Sequence, residues 1–287
     1  MIVKQALQYS YKILKQADIV RPEFEAELII SSILGLDRNN LITKDQQKIT
    51  YFQFHKIKAW TKKRTKHCPL AYLIGNKEFY NLNFKVNKHT LVPRPESELF
   101  IDYLKSKDFN NSLIIDLGTG SGCLIISLIK NLNLHNFSNY QFLATDISKQ
   151  ALTVAKKNTV LHQVKNLIFK QGNLLKPVLD GGYMDSKKNV FILANLPYVS
   201  KKQYQDSLSI QKEPKSALLS DNNGLAHYLS LIEQIKTIKN KQLTVLLEID
   251  PTQTNKLQQV LQNNFSDIKI QVIKDLSNKD RLLVFNN

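Results

Sequence analysis

The chain has 287 residues, enough for one substantial domain plus a small one, and a hydrophobic fraction of 43% that supports ordinary globular cores. No apolar run is long enough to span a bilayer, no signal-peptide core opens the chain, and Cys68 and Cys123 are too few for a disulfide framework, so a reducing, cytoplasmic setting is expected. The formal net charge of +16 suits an acidic partner such as nucleic acid, ribosome or acidic protein, yet the lysines are scattered among many Asn and Ile residues, as compositional bias would leave them.

Residues 1–75 read as helices only. Residues 1–16 carry Val3, Ala6, Leu7, Tyr11 and Leu14 on one helical face. A basic amphipathic start also suits an organellar presequence, but its cations are lysines rather than arginines, which favours a structural first helix. Pro22 and Gly35 bracket a second helix with Phe24, Ala26, Leu28, Ile29 and Ile30 between them. Residues 44–66 form another, with Phe52, Phe54, Ile57 and Trp60 as core and Lys56, Lys58, Lys62, Lys63, Arg64 and Lys66 as a solvated basic face. Residues 79–86 alternate through Leu82, Phe84 and Val86, as in a hairpin linking two lobes. The expected division is therefore a helical domain at 1–75, a hairpin linker at 76–95 and a larger domain at 96–287.

In that larger domain strands and helices alternate, which calls for an α/β fold with a parallel sheet and helices on both faces. Leu113-Ile114-Ile115-Asp116 is a short apolar strand that runs into Leu117-Gly118-Thr119-Gly120-Ser121-Gly122 and then an apolar helix from Cys123. Alternating glycines between strand and helix let backbone approach a nucleotide-like ligand. Phosphate loops use related spacings, but the Gly-Lys-Ser/Thr ending of a nucleoside triphosphate site is absent. The next strand, 141–145, ends in Asp146, whose carboxylate is placed to accept both ribose hydroxyls of an adenosine. Asp146 also suits the N-cap of the helix containing Ala151, Leu152 and Ala155, but Ser148 can take that role instead. No histidine sits in a metal-ligand spacing, so no metal is assigned.

Val190-Phe191-Ile192-Leu193-Ala194 is a buried-strand run that ends in Asn195-Leu196-Pro197-Tyr198. Asn195 offers a side-chain carbonyl, and Pro197 forces Leu196 into an extended conformation that fixes its backbone carbonyl. Two fixed acceptors suit a planar NH₂ group, with Tyr198 as an aromatic wall. No general base is present in the motif, so catalysis by orientation is the expected mode. Beyond it, residues 201–211 read as a flexible loop able to cover the substrate. A strand at 244–248 and a helix at 252–263 follow. The runs 268–273 and 281–285 are joined too tightly for a crossover helix, which predicts an antiparallel pair at the sheet edge.

These motifs, in this order, resemble the S-adenosylmethionine-dependent methyltransferases of the Rossmann-like class. Within them the chain is similar to the bacterial enzymes that methylate the side-chain amide of glutamine in peptide chain release factors. Pro69 to Gly75 with Glu78-Phe79-Tyr80, Leu91-Val92-Pro93-Arg94-Pro95-Glu96, and Lys274-Asp275-Leu276 with Asp280-Arg281 carry the resemblance outside the two main motifs. It implies a seven-stranded, mostly parallel sheet with an antiparallel edge strand, preceded by a small helical domain that recognises the substrate protein. It implies S-adenosylmethionine held by Asp116, Gly118, Thr119, Gly120, Ser121, Gly122, Asp146, Asn173, Leu174 and Asn195. The acceptor glutamine is implied to meet Asn195, Leu196, Pro197, Tyr198, Arg94 and Glu96. Leu196 stands where many relatives have proline, which preserves the backbone carbonyl. Asn173-Leu174 stands where many have an acidic residue and an aromatic, so the adenine contacts here rest on an amide and an apolar cover. The partners implied are release factors, with ribosome association compatible and direct nucleic-acid binding not expected. The competing readings are amino-methylation of a DNA or RNA base, a ribosomal-protein glutamine as acceptor, and a non-catalytic scaffold.

Overall fold

Helix ends in the first part of the chain follow local chemistry. Pro22 opens its helix, where a missing N–H costs nothing, and Gly35 closes it at φ 67. A computed structural model describes residues 1–132 and 140–286 and divides the chain into two units, Met1–Gly75 and Asn76–Asn287. The first unit holds α1 (Val3–Gln16), α2 (Pro22–Leu34), α3 (Arg38–Thr43), α4 (Tyr51–Arg64) and α5 (Leu70–Ile74). Its core is made by Val3, Ala6, Leu14, Ile29, Ile30, Leu41 and Ile57. The helix expected over 44–66 starts only at Tyr51, because Thr50 and Gln53 form a reciprocal cap there. Phe52, expected in the core, is 82% exposed. The core-facing stripe of α4 runs through Ile57 and Thr61, and Phe52 projects from another face. Arg64 leaves the basic run, since it pairs with Glu25 at 2.5 Å with both side chains largely covered.

The second unit begins with the hairpin β1 (Asn76–Phe79) and β2 (Leu82–Lys85). Phe79 and Phe84 are buried in the same cluster as Phe100, Ile101, Leu124 and Leu128. The hairpin is thus part of this unit's core, whereas the sequence reading made 76–95 a separate linker. Asn158 fastens it. The Asn158 amide accepts from Lys85 N–H at 2.7 Å and donates to the carbonyls of Lys85 and Ser121.

The strands that follow are β3 (Ser112–Leu117), β4 (Gln141–Asp146), β5 (Leu167–Gln171), β6 (Asn189–Ala194), β7 (Gln242–Glu248), β8 (Lys269–Lys274) and β9 (Asp280–Asn286). They form a seven-stranded sheet in the order β5-β4-β3-β6-β7-β9-β8. The strands from β5 through β7 are parallel neighbours, and β9 lies antiparallel to both β7 and β8. The closing pair is at the edge, as its short connection requires. The antiparallel member is β9, one place in, while the outermost β8 runs with the parallel set. Helices cover both faces: α6 (Leu99–Leu104), α7 (Cys123–Asn131), α8 (Lys149–Leu161), α9 (Lys176–Leu179), α12 (Ala226–Ile235) and α13 (Thr254–Asn264), while the short α10 (Lys201–Asp206) and α11 (Asp221–Gly224) belong to the connection between β6 and β7. Ile115 and Leu117 of β3 join one core with α12 and α13, and Ile114 joins the other with α6 and α7. Strand alternation alone sorts them.

Residues 201–211, expected as a flexible loop, contain α10 and a 3-10 turn, with Tyr204 buried. Ser200 and Gln203 form a reciprocal cap at the start of α10 that the loop reading overlooked. Among the described residues no helix is long and apolar enough to cross a membrane.

Candidate active site

Strand register decides which residues share the active edge of the sheet. Leu117 pairs with Thr145 and with Ala194, and Ala194 pairs with Leu247. One step further along each strand stand Asp146, Gly118, Asn195 and Glu248, a single row across β4, β3, β6 and β7. This is the carboxyl end of a parallel sheet at which the strand order reverses, the usual place for a ligand in such folds.

The glycine turn is held from both sides. Gly118, Gly120 and Gly122 take φ values of 66°, 57° and 79°, the left-handed region that side chains disfavour. Thr119 N–H donates to the Thr145 carbonyl at 2.9 Å, and Gly120 N–H donates to Asp146 Oδ2 at 2.9 Å. Asp146 Oδ1 accepts from Ser148 N–H at 2.8 Å, while the Ser148 hydroxyl caps α8 by accepting from Ala151 N–H. Ser148 is therefore the cap. Each Asp146 oxygen accepts from one of these N–H groups and so keeps acceptor capacity, and Asp146 lines the cleft. Burial raises the Asp146 pKa, opposed by the N–H groups of Ser148 and Gly120.

Asp116 lies at the buried end of β3 and accepts from Thr119 Oγ1 at 2.6 Å. Burial pushes its carboxyl up to about 7 against the Thr119 hydrogen bond, with nearby Asp146 adding to the rise. The Cys123 thiol is pushed up to about 12 by burial.

One cleft is lined by Gly118, Gly120, Asp146, Asn173, Leu174, Asn195, Leu196 and Pro197, with His89, Thr90, Leu91, Pro214, Ser216, Ala217 and His227 among its other walls. A recess lined by Arg94, Ser97, Asp116, Thr119, Ser121 and Cys123 shares Gly118, Gly120 and Asn195 with that cleft. Leu174, at φ 53, turns its carbonyl to accept from Thr145 Oγ1 at 3.1 Å, which fixes the turn that carries Asn173. Gly122 lies under the glycine turn, where an added Cβ would stand 3.0 Å from Ile126 Cδ1 and 3.2 Å from Ala155 Cβ; it lets α7 and α8 pack closely.

Asn195 has a defined orientation. Its Nδ2 donates to Ser97 Oγ at 2.9 Å and to Glu248 Oε2 at 3.0 Å. A carboxylate oxygen only accepts, so the NH₂ end must face Glu248 and Oδ1 must face away. Neither Asn195 Oδ1 nor the Leu196 carbonyl accepts a hydrogen bond among the described residues. Tyr198 is placed differently from the expected wall: its hydroxyl donates to Glu248 Oε1 at 3.1 Å, and it does not line the cleft. Burial and the adjacent Glu248 carboxylate raise its pKa. Arg94 lines the recess, but its guanidinium is paired with Glu213 Oε1 at 2.5 Å, while Glu213 Oε2 accepts from Val92 N–H at 2.9 Å. That clamp ties the stretch containing His89–Leu91 to the stretch containing Pro214–Ala217, two walls of the cleft. Glu96 lines neither cavity.

Sequence reading missed Ser97, Glu213, His227 and Glu248. Glu248 alone left a signal, because it ends an apolar strand just as Asp116, Asp146 and Asn195 do.

The family described as PrmC N-terminal domain matches residues 5–75, and the one described as methyltransferase domain matches residues 108–269. The chain is 31% identical to the release factor glutamine methyltransferase of Bacillus subtilis (strain 168), covering 97% of this chain and 96% of that protein. It is 34% identical to the protein of the same name from Staphylococcus aureus (strain NCTC 8325 / PS 47), over 76% of this chain and 75% of that one. Among solved structures, the hMettl16 catalytic domain in complex with MAT2A 3'UTR hairpin 1 aligns with a TM-score of 0.54 at 14% identity, covering 99% of this chain and 90% of that one. At that identity the likeness is one of fold. The near full-length matches, with both domain families in order, place this chain in the release factor glutamine methyltransferase family.

Proposed function

We propose that this protein transfers a methyl group from S-adenosylmethionine to the side-chain amide nitrogen of a glutamine in a bacterial peptide chain release factor, in the cytoplasm where translation ends. The observation that carries the reading is the fixed Asn195 amide, whose donor end is consumed by Glu248 and Ser97 and whose acceptor end takes no hydrogen bond from the described residues, in a cleft that Leu196 also lines.

The residues present fit the cofactor. Asp146 keeps free acceptor capacity for ribose hydroxyls, Gly118 and Gly120 present backbone without side chains, and Asn173 and Leu174 supply an amide and an apolar surface for a base. Asp116, with Gly118, Thr119, Gly120 and Ser121, lines the recess that would take the amino-acid end. When bound, the cofactor supplies an electrophilic methyl on a sulfonium. An amide nitrogen is a weak nucleophile because its lone pair is delocalised. Asn195 Oδ1 and the Leu196 carbonyl would accept the two amide hydrogens, turn the nitrogen towards the methyl and stabilise positive charge that grows on it. As the nitrogen–carbon bond forms, the carbon–sulfur bond breaks to leave S-adenosylhomocysteine, and the methylated nitrogen gives up one proton to solvent to restore the neutral amide. Pro197 holds the Leu196 carbonyl in place.

The helical unit, Met1–Gly75, serves to recognise the release factor. The test offers labelled cofactor to release factor, ribosome and DNA separately. Label on release factor alone is the expected outcome, and label on nucleic acid or ribosome in its stead would overturn the reading.

A further inference from the structure

An asparagine amide is nearly symmetric in shape, and half a turn about its last bond exchanges oxygen for NH₂. Turned the wrong way, Asn195 would present donor hydrogens to the hydrogens of an incoming amide, and the site would repel the group it has to hold. The Asn-Leu-Pro-Tyr motif contains nothing that settles this choice. Glu248, at the end of the neighbouring strand, does. Its Oε2 stands 3.0 Å from Asn195 Nδ2, and a flipped amide would set oxygen against oxygen.

Glu248 is itself locked. Ser97 Oγ donates to Oε2 at 2.5 Å, Tyr198 Oη donates to Oε1 at 3.1 Å, and the Tyr228 hydroxyl donates to the Glu248 backbone carbonyl. The side chain is 1% exposed and lines neither cavity, so it acts through Asn195 rather than on substrate. Burial raises its pKa, while the Ser97 and Tyr198 hydrogen bonds and the nearby Arg281 charge favour ionisation. A buried carboxylate is costly, and packing alone would be served as well by an uncharged side chain of the same shape.

We infer that Glu248 is a positioning residue for methyl transfer, whose carboxylate, with Ser97, holds the Asn195 amide oxygen towards the cleft and so selects acceptors with two hydrogens on a planar nitrogen. This rests on the glutamine-methylating reading.

The test moves the donor from one side of the pair to the other. Asn195→Asp sets two carboxylates against each other, and its kcat should fall by about a hundred-fold or more. Glu248→Gln should lower kcat by roughly ten-fold while S-adenosylhomocysteine affinity stays at the wild-type value. In the Asn195→Asp/Glu248→Gln double variant the glutamine NH₂ donates to the new carboxylate, and an acceptor oxygen again faces the cleft. The double variant should therefore exceed Asn195→Asp alone by roughly ten-fold or more, a coupling that independent structural losses do not produce. A double variant at or below Asn195→Asp overturns the inference. If it does not fold, Ser97→Ala decides: a several-fold loss of kcat at unchanged cofactor-product affinity supports the role, and wild-type kcat rejects it. Wild-type transfer to release factor is run alongside. Its absence overturns the functional reading and this inference with it, whereas transfer without rescue overturns this inference alone.

Discussion

Asn195 and Asp146 do different work with similar chemistry, and variants separate them. Asn195→Ala removes one of the two acceptors proposed to aim the amide, and misplacing a reacting atom modestly can cost about a hundred-fold. Transfer should collapse while calorimetric affinity for S-adenosylhomocysteine stays close to wild type. Asp146 should show the reverse emphasis. Each hydrogen bond from a ribose hydroxyl to a carboxylate is worth about 1.5–3 kcal/mol, so Asp146→Ala should weaken binding by roughly ten-fold or more. Because Asp146 also accepts from Gly120 and Ser148, Asp146→Asn, which keeps one acceptor, is the milder control. Unchanged affinity in the alanine variant rejects the ribose assignment. Asp116 gives a pH test. Its folded pKa of about 7 lies above its unfolded value, so its contribution to stability is fullest in acid and is lost as pH rises through 7. If, as proposed, Asp116 meets the cationic amino end of the cofactor product, that charge favours the ionised carboxylate, so affinity should be flat above about pH 7 and fall up to ten-fold per unit below it. Asp116→Asn should flatten that profile; an unchanged slope places its cause elsewhere. Asp146 and Asn195 were legible in sequence because each ends an apolar strand before a recognisable turn. Glu248 ends one too, but what it touches depends on strand register, which adjacent residues in the chain do not encode.

At the scale of elements, the glycine turn is tied to helix packing. Gly122→Ala adds a Cβ 3.0 Å from Ile126 and 3.2 Å from Ala155 on a backbone at φ 79. A cost of about 1–3 kcal/mol is expected, seen as a lower denaturation midpoint, and a midpoint equal to wild type contradicts the close α7–α8 approach. Element order and type follow from apolar periodicity in the strands and from Pro22 and Gly35 around α2. Two departures have local causes and a third a tertiary one. Reciprocal caps at Thr50–Gln53 and Ser200–Gln203 moved one helix start and created another helix from a polar stretch. The hairpin looked like a spacer because its short strands carry one apolar face, and only tertiary contact shows Phe79 and Phe84 inside the catalytic unit's core.

For the whole molecule, each unit has its own core, and residues 1–75 contribute to one of them only. A variant lacking residues 1–75 should therefore keep affinity for S-adenosylhomocysteine and lose efficient methylation of intact release factor, read as kcat/KM. Methylation equal to that of the full chain would remove the recognition role proposed for the helical unit. The cut belongs before Asn76, because a start within or after the hairpin strips Phe79 and Phe84 from the core. The measurement that bears most directly on the account is location of the transferred methyl group by fragmentation mass spectrometry of release factor treated with wild-type protein and with Asn195→Ala. The account predicts a methyl on the side-chain amide nitrogen of one glutamine with the wild type and almost none with Asn195→Ala. A methyl on a lysine, an arginine or the chain terminus, or equal glutamine methylation by both proteins, would contradict it.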